Sequence, residues 1–118
     1  MKRIMIVDDE PSIRKLYHKE FAEDGYEVIL ASSGQEALSR ADAEKDLDLV
    51  ILDIKMEGKD GLEVLDELRG KFKGLPVILN SAYSTYKNDF TSWLADAYLV
   101  KSPDMDELKE KVRELLAV

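Results

Sequence analysis

The chain has 118 residues, 45% of them apolar and 36% charged, with no cysteine, and its 25 acidic against 17 basic side chains give a formal net charge of −8. That composition describes one globular domain with a real core and no room for a second, and the missing thiols exclude disulfides and thiolate metal sites. The charge excludes nucleic-acid or anionic-lipid binding by this chain alone, and no apolar stretch approaches the ~20 residues of a membrane span.

Apolar runs alternate with helix-period segments from end to end, the mark of a parallel sheet with helical crossovers. Met1-Lys2-Arg3 leads into Ile4-Met5-Ile6-Val7, which predicts a strand over 3–7 and is too short for a signal-peptide core. With no cysteine to oxidise, a reducing cytoplasm is the expected location. Pro11 opens a helix over 11–24, where its missing N–H has no intrahelical partner to lose. A strand over 26–30, a helix over 34–44 and a strand over 48–52 follow. Asp60-Gly61-Leu62-Glu63 reads as a capping box at the start of a helix over 60–70. Pro76 opens a strand over 76–80, and Tyr86, Phe90, Trp93 and Leu94 recur at helical spacing, predicting a core-facing stripe on a helix over 85–95. A strand over 97–100 leads to a helix over 103–117, with Ser102 as its cap, Pro103 in its first turn, and Asp104 and Asp106 facing its dipole. The sum is (βα)5: a doubly wound, five-stranded parallel sheet, flavodoxin-like in strand order 2-1-3-4-5, forming one domain over 1–118.

In such a sheet the strand carboxyl ends converge on one edge. Here those ends carry Asp8-Asp9, Asp53, Ser81 and Lys101. Each residue alone has a bland reading: Asp8-Asp9-Glu10 as helix capping, Asp53 as a turn residue, Ser81 as a loop start, Lys101 as a solvated charge. Their joint placement favours chemistry. Two carboxylates ~5 Å apart repel by about 3 kcal/mol at an effective dielectric of ~20, a cost that a hard divalent cation removes. Mg²⁺ uses one or two carboxylates, retained waters and a phosphate, so Asp8, Asp9 and Asp53 suit it. Asp53 is also a candidate nucleophile on phosphorus, with Lys101 and the Ser81 hydroxyl placed to receive phosphoryl oxygens.

With Met56, Asp60-Gly61, Ser81-Ala82 and Gly34-Gln35-Glu36-Ala37-Leu38 added, the chain resembles the receiver domain of bacterial two-component response regulators over its whole length. The resemblance implies phosphoryl transfer to Asp53 from a phosphohistidine of a sensor histidine kinase or histidine phosphotransfer protein. It implies Mg²⁺ bound by Asp9 and Asp53, with Asp8 acting largely through water and the Lys55 carbonyl as a further ligand. Ser81 and Tyr98 become a switch pair, and Ile13, Ser102 and Pro103 a docking surface for the phosphodonor. Lys55 and Tyr83 would flank the path of an attacking water. Signal output, homodimerisation included, would use the face made by helix 4, strand 5 and helix 5. Three departures stand out: Ser102 separates Lys101 from Pro103, Glu57 replaces a common proline, and the Ser81-to-Lys101 segment is short for the family. A cis bond before a non-proline costs about 2.5 to 4 kcal/mol, which leaves the Lys101–Ser102 bond either trans or strained.

Two enzyme or carrier classes share parts of this pattern. A haloacid-dehalogenase-type phosphohydrolase needs an Asp-x-Asp pair, which Asp53-Ile54-Lys55 lacks, and a flavin carrier needs a Ser/Thr/Gly-rich loop after the first strand. A degenerate receiver acting by binding alone is the remaining alternative, opposed by the complete acidic, hydroxyl and lysine set.

Overall fold

The computed structural model describes residues 1–44 and 46–117. Five parallel strands, β1 (Arg3–Val7), β2 (Glu27–Ala31), β3 (Leu49–Leu52), β4 (Val77–Ser81) and β5 (Ala97–Val100), form one sheet in the order β2-β1-β3-β4-β5. Four α-helices, α1 (Pro11–Glu23), α2 (Gly34–Ala43), α3 (Gly61–Lys71) and α4 (Asp106–Leu116), cover its two faces. Successive strand side chains point to opposite faces, and the apolar strands divide accordingly. Met5, Val7, Val50, Leu52, Val77 and Leu79 pack with α2 and α3, whereas Ile4, Ile6, Leu49, Ile51 and Ile78 pack with α1 and α4. Among the described residues no helix is long and apolar enough to cross a membrane.

Helix starts follow the local chemistry in two of the three predicted places. Pro11 occupies the first turn of α1, and Asp60 with Glu63 makes both hydrogen bonds of a capping box at α3. The last helix begins later than the sequence predicts. Ser102 Oγ accepts from the Asp104 N–H and Asp104 Oδ1 from the Asp106 N–H, so these side chains close two successive turns and the helix starts at Asp106. The Lys101–Ser102 bond is trans.

The fourth crossover is not an α-helix. Thr85–Asn88 and Phe90–Leu94 form two short 3₁₀ turns, parted by Asp89 in extended conformation with its carboxylate accepting from the Thr91 N–H. That local bond offers the backbone an alternative to a continuous helix. A 3₁₀ turn places side chains three residues apart in line, so the spacing that would bury an α-helical stripe instead turns it outward. Phe90 is 78% and Trp93 65% exposed, and they stack edge-to-face at 4.8 Å; Leu94 is also exposed, and of the stripe only Tyr86 packs on the core. Arg69 of α3 fixes the far end of this segment, donating to the carbonyls of Leu94 at 2.6 Å and Leu75 at 2.8 Å and to Asp96 at 2.5 Å.

Candidate functional site

Register brings the acidic residues together. Val7 pairs with both Ala31 and Leu52, so Asp8 and Asp53 leave adjacent strands at the same height, and the Asp53 N–H donates to the Val7 carbonyl at 2.9 Å. One oxygen from each of Asp8, Asp9 and Asp53 lies within 4.8 Å of the others. Asp8 and Asp53 are buried and Asp9 is exposed, which leaves the cluster open to solvent on one side. An all-oxygen donor set at this spacing fits a hard divalent ion, and among the described residues the group includes no histidine or cysteine.

Lys101 arrives from the other side of the sheet. Ser81 pairs with Val100, the Lys101 N–H donates to the Ser81 carbonyl at 2.7 Å, and the ammonium lies 2.7 Å from Asp8 Oδ2 and 3.4 Å from Asp53 Oδ2. Burial pulls the Lys101 pKa down, but the hydrogen bond to Asp8 and the charge of Asp53 more than reverse it, so it stands above the ordinary lysine value. Asp53 shows the opposite balance. Burial first, then the charge of Asp8, push its carboxyl up to about 6, against the pull of Lys101 and the Ile54 N–H. Two bonds position Asp8 further: Oδ1 accepts from the Glu10 N–H at 3.0 Å, and its carbonyl accepts from Arg14 at 2.7 Å.

Ser81 is fully buried at the end of β4, and its Oγ accepts from the Tyr83 N–H at 3.1 Å. The Tyr98 hydroxyl donates to the Tyr83 carbonyl at 2.6 Å, so both members of the predicted switch pair hold the same residue. Burial raises the Tyr98 pKa, with the Ser81 hydroxyl and Tyr86 backbone acting against it. Lys55 and Tyr83 are exposed beside the site. Ile13 is half-buried against the α1/α4 core, while Ser102 and Pro103 stand exposed in the turn after β5.

Sequence reasoning missed Arg14, which no motif marks, and the closeness of the loop after β3 to the helices beside it. A Cβ on Gly61 would overlap the Asp53 carbonyl oxygen, and one on Gly34 would lie 2.7 Å from the Lys59 carbonyl oxygen. Two glycines at helix starts thus clamp the loop that carries Asp53.

A family model described as response regulator receiver domain matches residues 4–113. The alkaline phosphatase synthesis transcriptional regulatory protein PhoP of Bacillus subtilis is 36% identical over 120 residues, which cover 98% of this chain and 48% of PhoP; the chain spans about half the length of that curated relative. The crystal structure of the response regulator TrrA of Thermotoga maritima in complex with Mg²⁺-BeF matches with a TM-score of 0.93 at 54% identity, covering 98% of this chain and 100% of that one. The TrrA chain in complex with the histidine kinase ThkA matches with a TM-score of 0.92 at 54% identity, covering 99% and 100%.

Proposed function

The chain belongs to the response regulator receiver family, and on that premise we propose that Asp53 is its phosphoacceptor, charged from a phosphohistidine of a sensor histidine kinase or histidine phosphotransfer protein. The observation that carries this reading is the convergence of Asp53, Lys101 and the acidic pair on one sheet edge. An Asp53 carboxylate oxygen attacks phosphorus, a P–O bond forms as the P–N bond of the donor breaks, and an acyl phosphate results. Lys101 swings its ammonium from the carboxylates to a phosphoryl oxygen. Ser81 gives up the Tyr83 N–H and turns its hydroxyl to a second oxygen, and Tyr98 follows inward.

Asp9 and Asp53, with the Lys55 carbonyl and with Asp8 acting largely through water, would hold Mg²⁺. When bound, the ion neutralises the clustered carboxylates and stabilises charge on the phosphoryl oxygens. The chain catalyses its own phosphorylation and dephosphorylation and no reaction on a separate substrate. Intact-mass measurement after incubation with Mg²⁺ and acetyl phosphate tests this: one phosphoryl adduct is expected, absent without Mg²⁺, and no adduct would overturn the reading.

Docking of the donor is assigned to Ile13, Ser102 and Pro103. Ile13→Ala should slow transfer from the kinase about tenfold or more, as a truncated anchor at an interface does, while phosphorylation by acetyl phosphate stays at the native rate. Equal transfer by native and variant protein would remove Ile13 from the surface.

Lys55 and Tyr83 shield the acyl phosphate. Lys55→Asn with Tyr83→Ala is expected to shorten its half-life after the donor is stopped, by about fivefold, an effect of about 1 kcal/mol on the hydrolysis barrier. An unchanged half-life would end that assignment.

Output is assigned to the face of the 3₁₀ crossover, β5 and α4, where exposed Phe90 and Trp93 provide apolar contact area for a partner or a second phosphorylated copy. The acidic balance is the support for proposing that the domain alone binds neither nucleic acid nor membrane, and the cysteine-free composition suits a cytoplasmic setting.

A further inference from the structure

Asn80 is out of character in β4. Its neighbours Val77, Ile78 and Leu79 are apolar and buried, and Asn80 is buried as deeply, at 4% exposure. It shares the sheet face of Ile78, the one that α1 and α4 cover. There its amide nitrogen donates to the Tyr17 hydroxyl of α1 at 2.8 Å, and Tyr17 is also 4% exposed. An apolar pair of the same shape would fill this space without needing a hydrogen bond, so neither the strand nor the helix requires these polar atoms to form.

Their location gives them a use. Asn80 precedes Ser81 and pairs with Leu99, two residues before Lys101. The Lys101 N–H donates to the carbonyl of Ser81, the residue after Asn80, and Val100 and Ser102, on either side of Lys101, line the same crevice as Tyr17 and Asn80. Next to the pair is a crevice of about 20 Å³, with Tyr17, Asn80, Ser102, Asp104 and Glu107 along its polar side and apolar side chains such as Leu108 closing the other. That is room for one water, and its walls carry enough polar groups to hold it. The Tyr17 oxygen accepts from Asn80, and the hydroxyl proton of Tyr17 and the second amide proton of Asn80 can both be received by a water there.

We propose that Tyr17 and Asn80 are a positioning pair for Lys101. Together with one water bound in the crevice, they form a polar floor that joins α1, the end of β4 and the Ser102–Asp104 turn. This floor fixes where Lys101 departs from β5 and so holds its ammonium over Asp8 and Asp53. The inference rests on the reading of Asp53 as phosphoacceptor for its kinetic consequence but not for its structural one.

Tyr17→Phe removes the hydroxyl and keeps the ring, and Asn80→Leu is the second variant. In crystals of the native protein, one water is expected within hydrogen-bond distance of the Tyr17 hydroxyl. In Tyr17→Phe that water is lost and Lys101 no longer contacts Asp8. Phosphorylation at saturating acetyl phosphate and Mg²⁺ should fall about tenfold, as small misplacements of a reacting constellation do, with Mg²⁺ affinity no lower; each single variant leaves its partner's polar atoms buried and unpaired and should melt lower, while the double variant regains that stability and not the rate. The double variant should be no slower than the slower single one, because the two residues act as a unit. A crevice without water, a lysine that stays on Asp8, or a rate within about twofold of native would overturn the proposal, as would a double variant whose rate recovers together with its stability. Should the native protein accept no phosphoryl group at all, the phosphoacceptor reading fails, and the crystallographic comparison alone decides whether the pair positions Lys101.

Discussion

Asp53→Asn is expected to abolish phosphoryl uptake while making the metal-free protein more stable at neutral pH. The first effect follows from replacing a carboxylate nucleophile with an amide, and intact-mass measurement should show no adduct under conditions that load the native chain fully. The second follows from the raised pKa. In the fold the Asp53 carboxyl titrates at about 6, against an ordinary value of 3.8. The folded state therefore binds this proton more tightly than the unfolded chain, and the charged form is a cost to folding. Below pH ~4 the group is protonated in both states and the cost vanishes. It grows as pH rises toward 6, and above that it is fully present, at about 2 to 3 kcal/mol. Urea unfolding of native and Asp53→Asn protein, both without Mg²⁺, should show that gap at pH 7 and its closure near pH 4. A variant less stable than native at pH 7 would mean that the Lys101 pairing outweighs burial and the charge of Asp8. Adding Mg²⁺ should stabilise the native chain far more than the variant, since the ion relieves the repulsion that the substitution has already removed.

Gly61→Ala is the second large effect, and Gly70→Ala in the same helix is its control. The Gly61 N–H donates to the Ile54 carbonyl at 2.7 Å, and an added Cβ would overlap the Asp53 carbonyl oxygen and lie 2.6 Å from Ile54 Cα. These are backbone atoms of the acceptor loop, so no side-chain rotation relieves the overlap. Either α3 withdraws from the sheet edge or the loop moves, and Asp53 moves with it. A loss of about 2 to 4 kcal/mol is expected, together with a phosphorylation rate reduced at least about a hundredfold. Gly70 meets nothing within 4 Å, so alanine there should add about 0.5 to 1 kcal/mol of helix stability and leave the rate unchanged. Chemical denaturation and acetyl phosphate kinetics on the two variants give the contrast directly. Equal behaviour of the two would refute the clamp on the acceptor loop.

Residues that were legible in the sequence share one property: their placement depends on strand ends. Once β1 and β3 are parallel neighbours, the residues following Val7 and Leu52 must meet, and Asp8 and Asp53 do. Lys101 and Ser81 follow by the same rule through β4 and β5. The five strands and the four α-helices were readable from period and caps, the last helix with its start placed too early. The fourth crossover was not. Its aromatic spacing imitates an α-helix, and the bonds that hold it in two short turns, from the Thr91 N–H to the Asp89 carboxylate and from Arg69 to the Leu94 carbonyl, carry no periodic signal. Ser102 misled for a related reason, since a serine that closes a turn and one that caps a helix carry the same sequence signal. The Tyr17–Asn80 pair joins residues 63 apart, and no local pattern encodes it.

The two 3₁₀ turns that follow β4 would set the energy scale of a signal that starts at Asp53. Helix α3 and strand β4 are held by buried side chains across the sheet, whereas this crossover leaves Phe90, Trp93 and Leu94 in water. Reshaping it forfeits a few backbone hydrogen bonds, each worth about 1 kcal/mol net, the core contact of Tyr86 and the Arg69 bond to Leu94. One new bond from Ser81 to a phosphoryl oxygen is of the same order as that cost. A segment held this lightly is the part of the domain whose population an added charge at Asp53 would shift first, together with Tyr98, while the buried core keeps its packing.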